Sequence, residues 1–88
     1  MNIYYEFIGY VGSVFTDENG ENVEYETIKD NFFKLNGRKG KLIYQGHTSV
    51  YEQGYSGGYE NYGFVFQDDL SSVSLDKYSG KILLEAVS

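Results

Sequence analysis

The chain has 88 residues, thirteen acids against seven bases for a formal charge of −6, and neither cysteine nor proline. That composition excludes disulfides, thiolate metal sites and a cysteine nucleophile, and it argues against a general affinity for phosphate backbones or anionic membranes, which need clustered Lys and Arg. Ten Tyr and six Phe must supply much of the core of one domain spanning residues 1–88, a size that buries about 60–65% of its unfolded surface. No basic segment leads into an apolar run, and no stretch nears the ~20 apolar residues of a membrane span, so a soluble cytoplasmic protein is expected.

In chain order, residues 2–15 are β-branched or aromatic and read as one long strand, with Gly9 and Gly12 as bulges or bends. Asp17-Glu18-Asn19-Gly20 is a turn signal, and residues 22–27 alternate with period two, so these segments should form a hairpin. A three-residue loop ending in a left-handed Gly20 is preferred over a two-residue Asn19-Gly20 turn. It gathers Ile3, Tyr5, Phe7, Val11, Phe15, Val23 and Tyr25 on one face. Tyr4, Glu6, Ile8, Tyr10, Val14, Glu24 and Glu26 then share the other.

Thr27 is placed to cap a short helix over about 28–36, with Ile28, Phe32 and Leu35 at helical spacing and Gly37 as its left-handed exit. Strands are expected at 41–45 and 63–67. Between them, Gly54, Gly57, Gly58 and Gly63 each add an entropic cost to regular structure, so the Tyr/Gly stretch 53–63 reads as a loop. Residues 72–76 and 81–87 form a last hairpin, with Leu75 opposite Ile82, Val73 opposite Leu84 and Asp76 opposite Lys81. The expected fold is α+β: about six strands in a mainly antiparallel meander sheet, with the helix packed on one face.

Catalytic and metal motifs are weak. Gly54-x-Ser56-x-Gly58 matches a nucleophile elbow only in spelling, because the one histidine, His47, precedes the serine and no large parallel sheet is available. Gly37-Arg38-Lys39-Gly40-Lys41 is too short for a phosphate loop and has no Ser or Thr after the lysine. Lys29, Lys34, Arg38, Lys39 and Lys41 cluster there, and read as a solvated helix face with cations near its C-terminus, a small-anion or nucleic-acid contact being the alternative. Asp17-Glu18 and Asp68-Asp69 are explained by turn chemistry, without the alternating ligands of a calcium loop. No catalytic set, metal or cofactor is expected.

What remains is an acidic surface bearing tyrosines. From Leu42 to Asp76 there is no base, while Glu52, Glu60, Asp68 and Asp69 stand beside Tyr51, Tyr55, Tyr59 and Tyr62. A mixture of Tyr, Ser, Gly and Asn is favoured in binding loops. Single-strand binding needs aromatics together with a positive groove, and this stretch has the opposite sign. The expectation is a non-enzymatic inhibitor, of the kind phages and mobile elements encode, that mimics nucleic-acid charge and occupies a basic nucleic-acid-binding site on a partner protein. Its contacts would be Tyr51, Glu52, Tyr55, Tyr59, Glu60, Tyr62, Asp68 and Asp69, with Glu24 and Glu26 as a second patch. Two alternatives stand beside it: an accessory subunit that pairs or self-associates through an edge strand, and a minimal hydrolase or nuclease using His47 with a nearby carboxylate.

Overall fold

Runs of Ile, Val, Phe and Tyr suit a pleated, half-buried surface, and in the computed structural model they form seven strands. The structure describes residues 1–9, 12–78 and 80–87, and for Tyr55 the backbone alone. The strands are β1 (Ile3–Phe7), β2 (Ser13–Thr16), β3 (Phe32–Leu35), β4 (Arg38–Glu52), β5 (Tyr55–Phe66), β6 (Ser72–Ser74) and β7 (Lys81–Ala86). They lie in the order β2-β1-β7-β3-β4-β5-β6, every neighbouring pair antiparallel. The sheet curls into a half-barrel that brings β2 and the end of β1 across to β5: the rings of Phe15 and Tyr62 lie 5.0 Å apart and those of Phe7 and Tyr59 5.3 Å apart.

The concave side holds the core of Ile3, Tyr5, Phe15, Ile28, Phe33, Leu35, Leu42, Phe64, Phe66, Leu75 and Leu84. Phe7, Val23 and Tyr25 pack against its margin, so the described members of the face expected for the N-terminal segments do gather on the core side. Val11 and Tyr10 lie outside the described residues. The long N-terminal strand, however, is two strands. Gly9 and Gly12, at φ +57° and +122°, turn the chain between them, with the Ile8 N–H donating to the Gly12 carbonyl at 2.7 Å. The loop at Gly20 has the preferred three-residue form, with the Asp17 N–H on the Glu21 carbonyl at 2.9 Å and Gly20 at φ +81°. Beyond that bond its return arm pairs, among the described residues, at the Thr16–Asn22 bridge and through the Val23 N–H alone.

The expected helix over 28–36 is absent. A single helical turn, α1 (Tyr25–Ile28), ends at Lys29, and 32–35 is strand β3. Phe33 and Leu35 point to the core while Phe32 and Lys34 do not, a period of two that the coincidental spacing of Ile28, Phe32 and Leu35 conceals. Asn36 and Gly37, at φ +54° and +81°, are the two left-handed residues of a tight hairpin turn joining β3 to β4, rather than a helix exit.

The final hairpin is also replaced. After β6 a 3-10 turn, Leu75–Lys77, is capped by the Ser74 hydroxyl and buries Leu75 completely. The chain thus crosses the open side of the half-barrel, and the Tyr5 hydroxyl donates a hydrogen bond to Asp76. Strand β7 then enters between β1 and β3: Leu84 lies opposite Ile3, Ile82 opposite Tyr5, Lys81 opposite Glu6 and Glu85 opposite Lys34. The meander is therefore interrupted at its centre, because burying Ile82 and Leu84 against β1 gives them a larger apolar surface than the short β6 offers.

Candidate functional site

The Tyr/Gly stretch expected as a loop is the second arm of a long two-stranded ribbon, β4–β5, closed by Gln53 and Gly54 with Glu52 opposite Tyr55. Gly58 sits where the strands approach closely: a β-carbon there would lie 2.2 Å from the Thr48 carbonyl oxygen and 2.5 Å from His47 Nε2, whereas one on Gly63 would meet only the flexible end of the Gln45 side chain, at 2.6 Å. Glycine is thus required by the strand spacing at Gly58, and tyrosine supplies the β preference between the glycines.

A bulge at Gln45, with Gly46 at φ +105°, shifts the ribbon register. Before it Tyr44 pairs with Tyr62, and after it Gly46 pairs with Asn61 and His47 with Glu60. The Asn61 amide fastens the bulge by donating to the Gly46 carbonyl at 3.1 Å and to the Thr48 hydroxyl at 2.7 Å. Bulges re-aim side chains, and here Tyr44 and His47 both reach one carboxylate. The Tyr44 hydroxyl donates to Glu60, and His47 Nδ1 lies 3.0 Å from Glu60 Oε1. The Tyr44 bond, then the His47 bond, hold the Glu60 carboxyl below its ordinary range, and the same carboxylate pushes the Tyr44 phenol up.

Opposite this group stands α1. The Thr27 hydroxyl donates to the Glu24 carbonyl at 2.7 Å, and Ile28 anchors the turn in the core. Glu24, Tyr25 and Glu26 therefore face Tyr44, Glu60 and Tyr62 across a cleft of about 460 Å³. Tyr62 forms its floor, with ring centroids 5.0 Å from Tyr25 and 5.8 Å from Tyr44. Burial first, and then the surrounding Glu60, Tyr25, Glu24 and Glu26, push the Tyr62 phenol up. Lys29 lines the rim and is paired with Glu26 at 2.8 Å, which raises its ammonium pKa. Three carboxylates and three phenols, drawn from segments far apart in sequence, thus share one opening.

Of the residues singled out from sequence, Glu24, Glu26, Glu60 and Tyr62 meet here. Tyr51, 78% exposed, and the exposed Glu52 lie toward the ribbon tip, and Tyr55 belongs to the strand beside them. Tyr59 turns the other way and packs on Phe7. Asp68 and Asp69 do not join the acidic surface: they occupy the turn after β5, where Arg38 makes a two-point contact with Asp68 at 2.8 and 3.1 Å and reaches Asp69 at 3.3 Å. Asp69 is held low chiefly by the Ser71 hydroxyl and N–H, and Asp17 accepts from the N–H groups of Asn19 and Glu21. Sequence reasoning passed over Tyr25 and Tyr44 as site residues. Tyr44 could have been found from its place two residues beyond Leu42 on the core side.

His47 has the neighbouring carboxylate that the hydrolase alternative requires, in Glu60. Among the described residues no hydroxyl hydrogen-bonds its second ring nitrogen, so the serine of Gly54-x-Ser56-x-Gly58 is not brought to it. No helix of the described residues is long and apolar enough to cross a membrane.

The chain is thus a curled antiparallel β protein with an acidic, tyrosine-lined cleft between a helical turn and a long ribbon. No family model, curated protein or solved structure matches it.

Proposed function

We propose that the protein is a non-enzymatic inhibitor that binds a basic, nucleic-acid-binding surface of a partner protein, with the cleft and the exposed end of the ribbon as its contact face. The observation that carries this reading is the convergence of Glu24, Glu26 and Glu60 with Tyr25, Tyr44 and Tyr62 around one opening. Carboxylates steer a cationic surface into contact, and tyrosines supply contact area with little loss of side-chain entropy. Tyr51 and Glu52 extend the same chemistry toward the ribbon tip, and Asp68 and Asp69 drop out because Arg38 already compensates them.

The test is capture of partners from lysate on immobilised protein at low and at high salt, followed by the same capture with Glu24→Lys/Glu26→Lys. Retention of a nucleic-acid-binding protein that is lost at high salt and lost in the double variant is expected. Retention that is indifferent to both salt and charge reversal would overturn the reading.

A second reading rests on the ribbon edge. β3 pairs with β4 only from Arg38 to Lys41, so beyond that point β4 pairs on one side alone among the described residues, whereas the end strands β2 and β6 are short. An added strand would therefore dock along 42–52. Selective protection of those amides from hydrogen exchange on partner binding distinguishes this mode from cleft binding, which leaves that edge exchanging.

A further inference from the structure

Of the bases expected on a helix face, Lys29 ends α1 and Arg38 is bonded to Asp68, while Lys34, Lys39 and Lys41 lie on a sheet. On the convex side of the half-barrel, β3 presents Phe32 and Lys34, and β4 presents Lys39 and Lys41, with Phe32 directly opposite Lys41 and Lys34 directly opposite Lys39. Like charges in such cross-strand positions oppose folding. None of the three lysines lies within 4.0 Å of a carboxylate among the described residues. Glu85 lies across from Lys34 on β7, and Asp30 lines the same recess as Lys39. Lys39 Nζ and Lys41 Nζ sit 4.5 and 4.6 Å from the centre of the Phe32 ring, so two ammonium groups bracket one aromatic face.

Two shallow recesses flank that ring. One, of about 410 Å³, is lined by Phe32, Ile43, Val65 and Leu70, and the other, of about 430 Å³, by Phe32, Asn31, Lys39 and Val87. Leu70 is 77% exposed and held at φ +61°, a conformation that costs a branched side chain energy. The same convex side carries a second pairing of this kind: Lys81 Nζ lies 4.9 Å from the Tyr4 ring, with the half-exposed Leu83 across from Tyr4 and Glu6 across from Lys81. Tyr4 on β1 is level with Leu83 and Phe32 on β3 with the position after Ala86, so at roughly 4.8 Å per strand and ~3.4 Å per residue the two lie ~17 Å apart, a distance a few nucleotides of extended single strand can cover.

The geometry points to a binding face for single-stranded nucleic acid on the convex side of β1, β7, β3 and β4, with Phe32 and Tyr4 stacking bases and Lys34, Lys39, Lys41 and Lys81 meeting phosphates. Aromatic platforms set among cations are what sequence-tolerant single-strand binding requires, and sheet faces use them this way. The Tyr/Gly stretch lacked the positive partner; Phe32 has it. An acidic peptide would use the lysines but would have no need of a half-buried aromatic ring between two recesses; a base stacks on that ring when the Lys39 and Lys41 ammonium groups turn from it to phosphates. The acids of the opposite cleft lie on other elements, so this face stands or falls independently of the partner-binding reading above.

Fluorescence anisotropy with a labelled oligothymidylate and a duplex of the same length tests it at low salt. Binding that prefers the single strand is expected, with a slope of log affinity against log salt of about −3 for four phosphate contacts. Phe32→Ala should weaken it about tenfold with the slope unchanged. Lys39→Glu/Lys41→Glu should abolish it, and the milder Lys39→Gln/Lys41→Gln should reduce both affinity and slope while retaining the thermal midpoint. The proposal is overturned by absence of binding, by equal binding to the duplex, or by affinity unchanged in the lysine variants. It is equally overturned if polyglutamate competes as well as oligothymidylate whether or not Phe32 is present, which assigns the face to an acidic protein. Concentration-dependent self-association lost on lysine reversal, without oligonucleotide binding, would assign it to a second copy of the chain.

Discussion

At Glu60 two donors from either side of a bulge meet one carboxylate, and the site depends on that convergence more than on the count of acids. The carboxyl is held low by Tyr44 first and His47 second. A depressed carboxyl contributes stability that is present above its unfolded pKa and fades as pH falls through its folded one. Tyr44→Phe removes the larger cause. The Glu60 midpoint, followed by the NMR shift of its side-chain carboxyl carbon, is therefore expected to rise toward the ordinary carboxylate range, while His47→Ala should move it less. An unmoved midpoint in Tyr44→Phe would mean that the hydroxyl is not bonded to Glu60 in solution. Because the group is solvent-exposed, the change belongs to the charge state of the cleft rather than to global stability.

At the scale of the element, the ribbon is built from glycines that make contact and others that only turn. A β-carbon on Gly40 would sit 2.1 Å from the Val65 carbonyl oxygen and 2.5 Å from the Phe64 ring, and neither can withdraw without separating β4 from β5. Gly54, in contrast, has open space around it and requires only its φ of +77°. Gly40→Ala is expected to cost at least the upper end of the ~1–3 kcal/mol typical of overpacking, and Gly54→Ala about 1 kcal/mol. Urea unfolding of the two variants checks the order, and equal costs would contradict the close approach. Much of this was legible in the residues. The β-branched, aromatic and apolar runs in 2–15, 41–45 and 63–67 marked strands, the first of them as one strand where there are two, and Asp17 to Gly20 marked its turn and register. Asn36-Gly37 carried an equally good hairpin signal, but the helical spacing of Ile28, Phe32 and Leu35 competed with it, and only the burial of Phe33 rather than Phe32 decides between them. The Tyr/Gly stretch misled because glycine's entropic cost is read locally, whereas its benefit lies in a strand that the chain meets ten or more residues earlier. Glu60 and Tyr62 were visible as site residues; Tyr44 showed only its core-side place two residues beyond Leu42, and Tyr25 showed nothing, since no local signal reveals that α1 and the bulge face each other.

Across the whole molecule, charge is uneven. The cleft gathers Glu24, Glu26 and Glu60 with Lys29 at its rim, whereas on the convex side Lys34, Lys39, Lys41 and Lys81 outnumber Glu6 and Glu85, so a net charge of −6 describes neither surface. The core that separates them includes the buried phenol of Tyr5, bonded to Asp76 on the crossing segment. Burial, with help from that carboxylate, raises the Tyr5 pKa well above the unfolded value of 10.0. A raised folded pKa contributes stability that is complete below the unfolded value and is lost as pH rises from there toward the folded one. Thermal midpoints are expected to fall steeply above pH ~10. Tyr5→Phe should lower the midpoint at neutral pH, through loss of the bond to Asp76, yet flatten that alkaline decline. A decline of unchanged steepness in Tyr5→Phe would place the titrating group elsewhere, with Tyr62 and Tyr44 as the other raised phenols among the described residues.

The insertion of Lys81–Ala86 between β1 and β3 has a consequence for biosynthesis. Strands β1 and β2 leave the ribosome first and β3 to β6 later, but among the described residues the only backbone ladder joining those two groups is made by a segment translated after both. A nascent polypeptide stalled before that segment emerges would hold two unjoined hairpin assemblies with open inner edges, and would remain a protease substrate until the last strand arrives to zip them together.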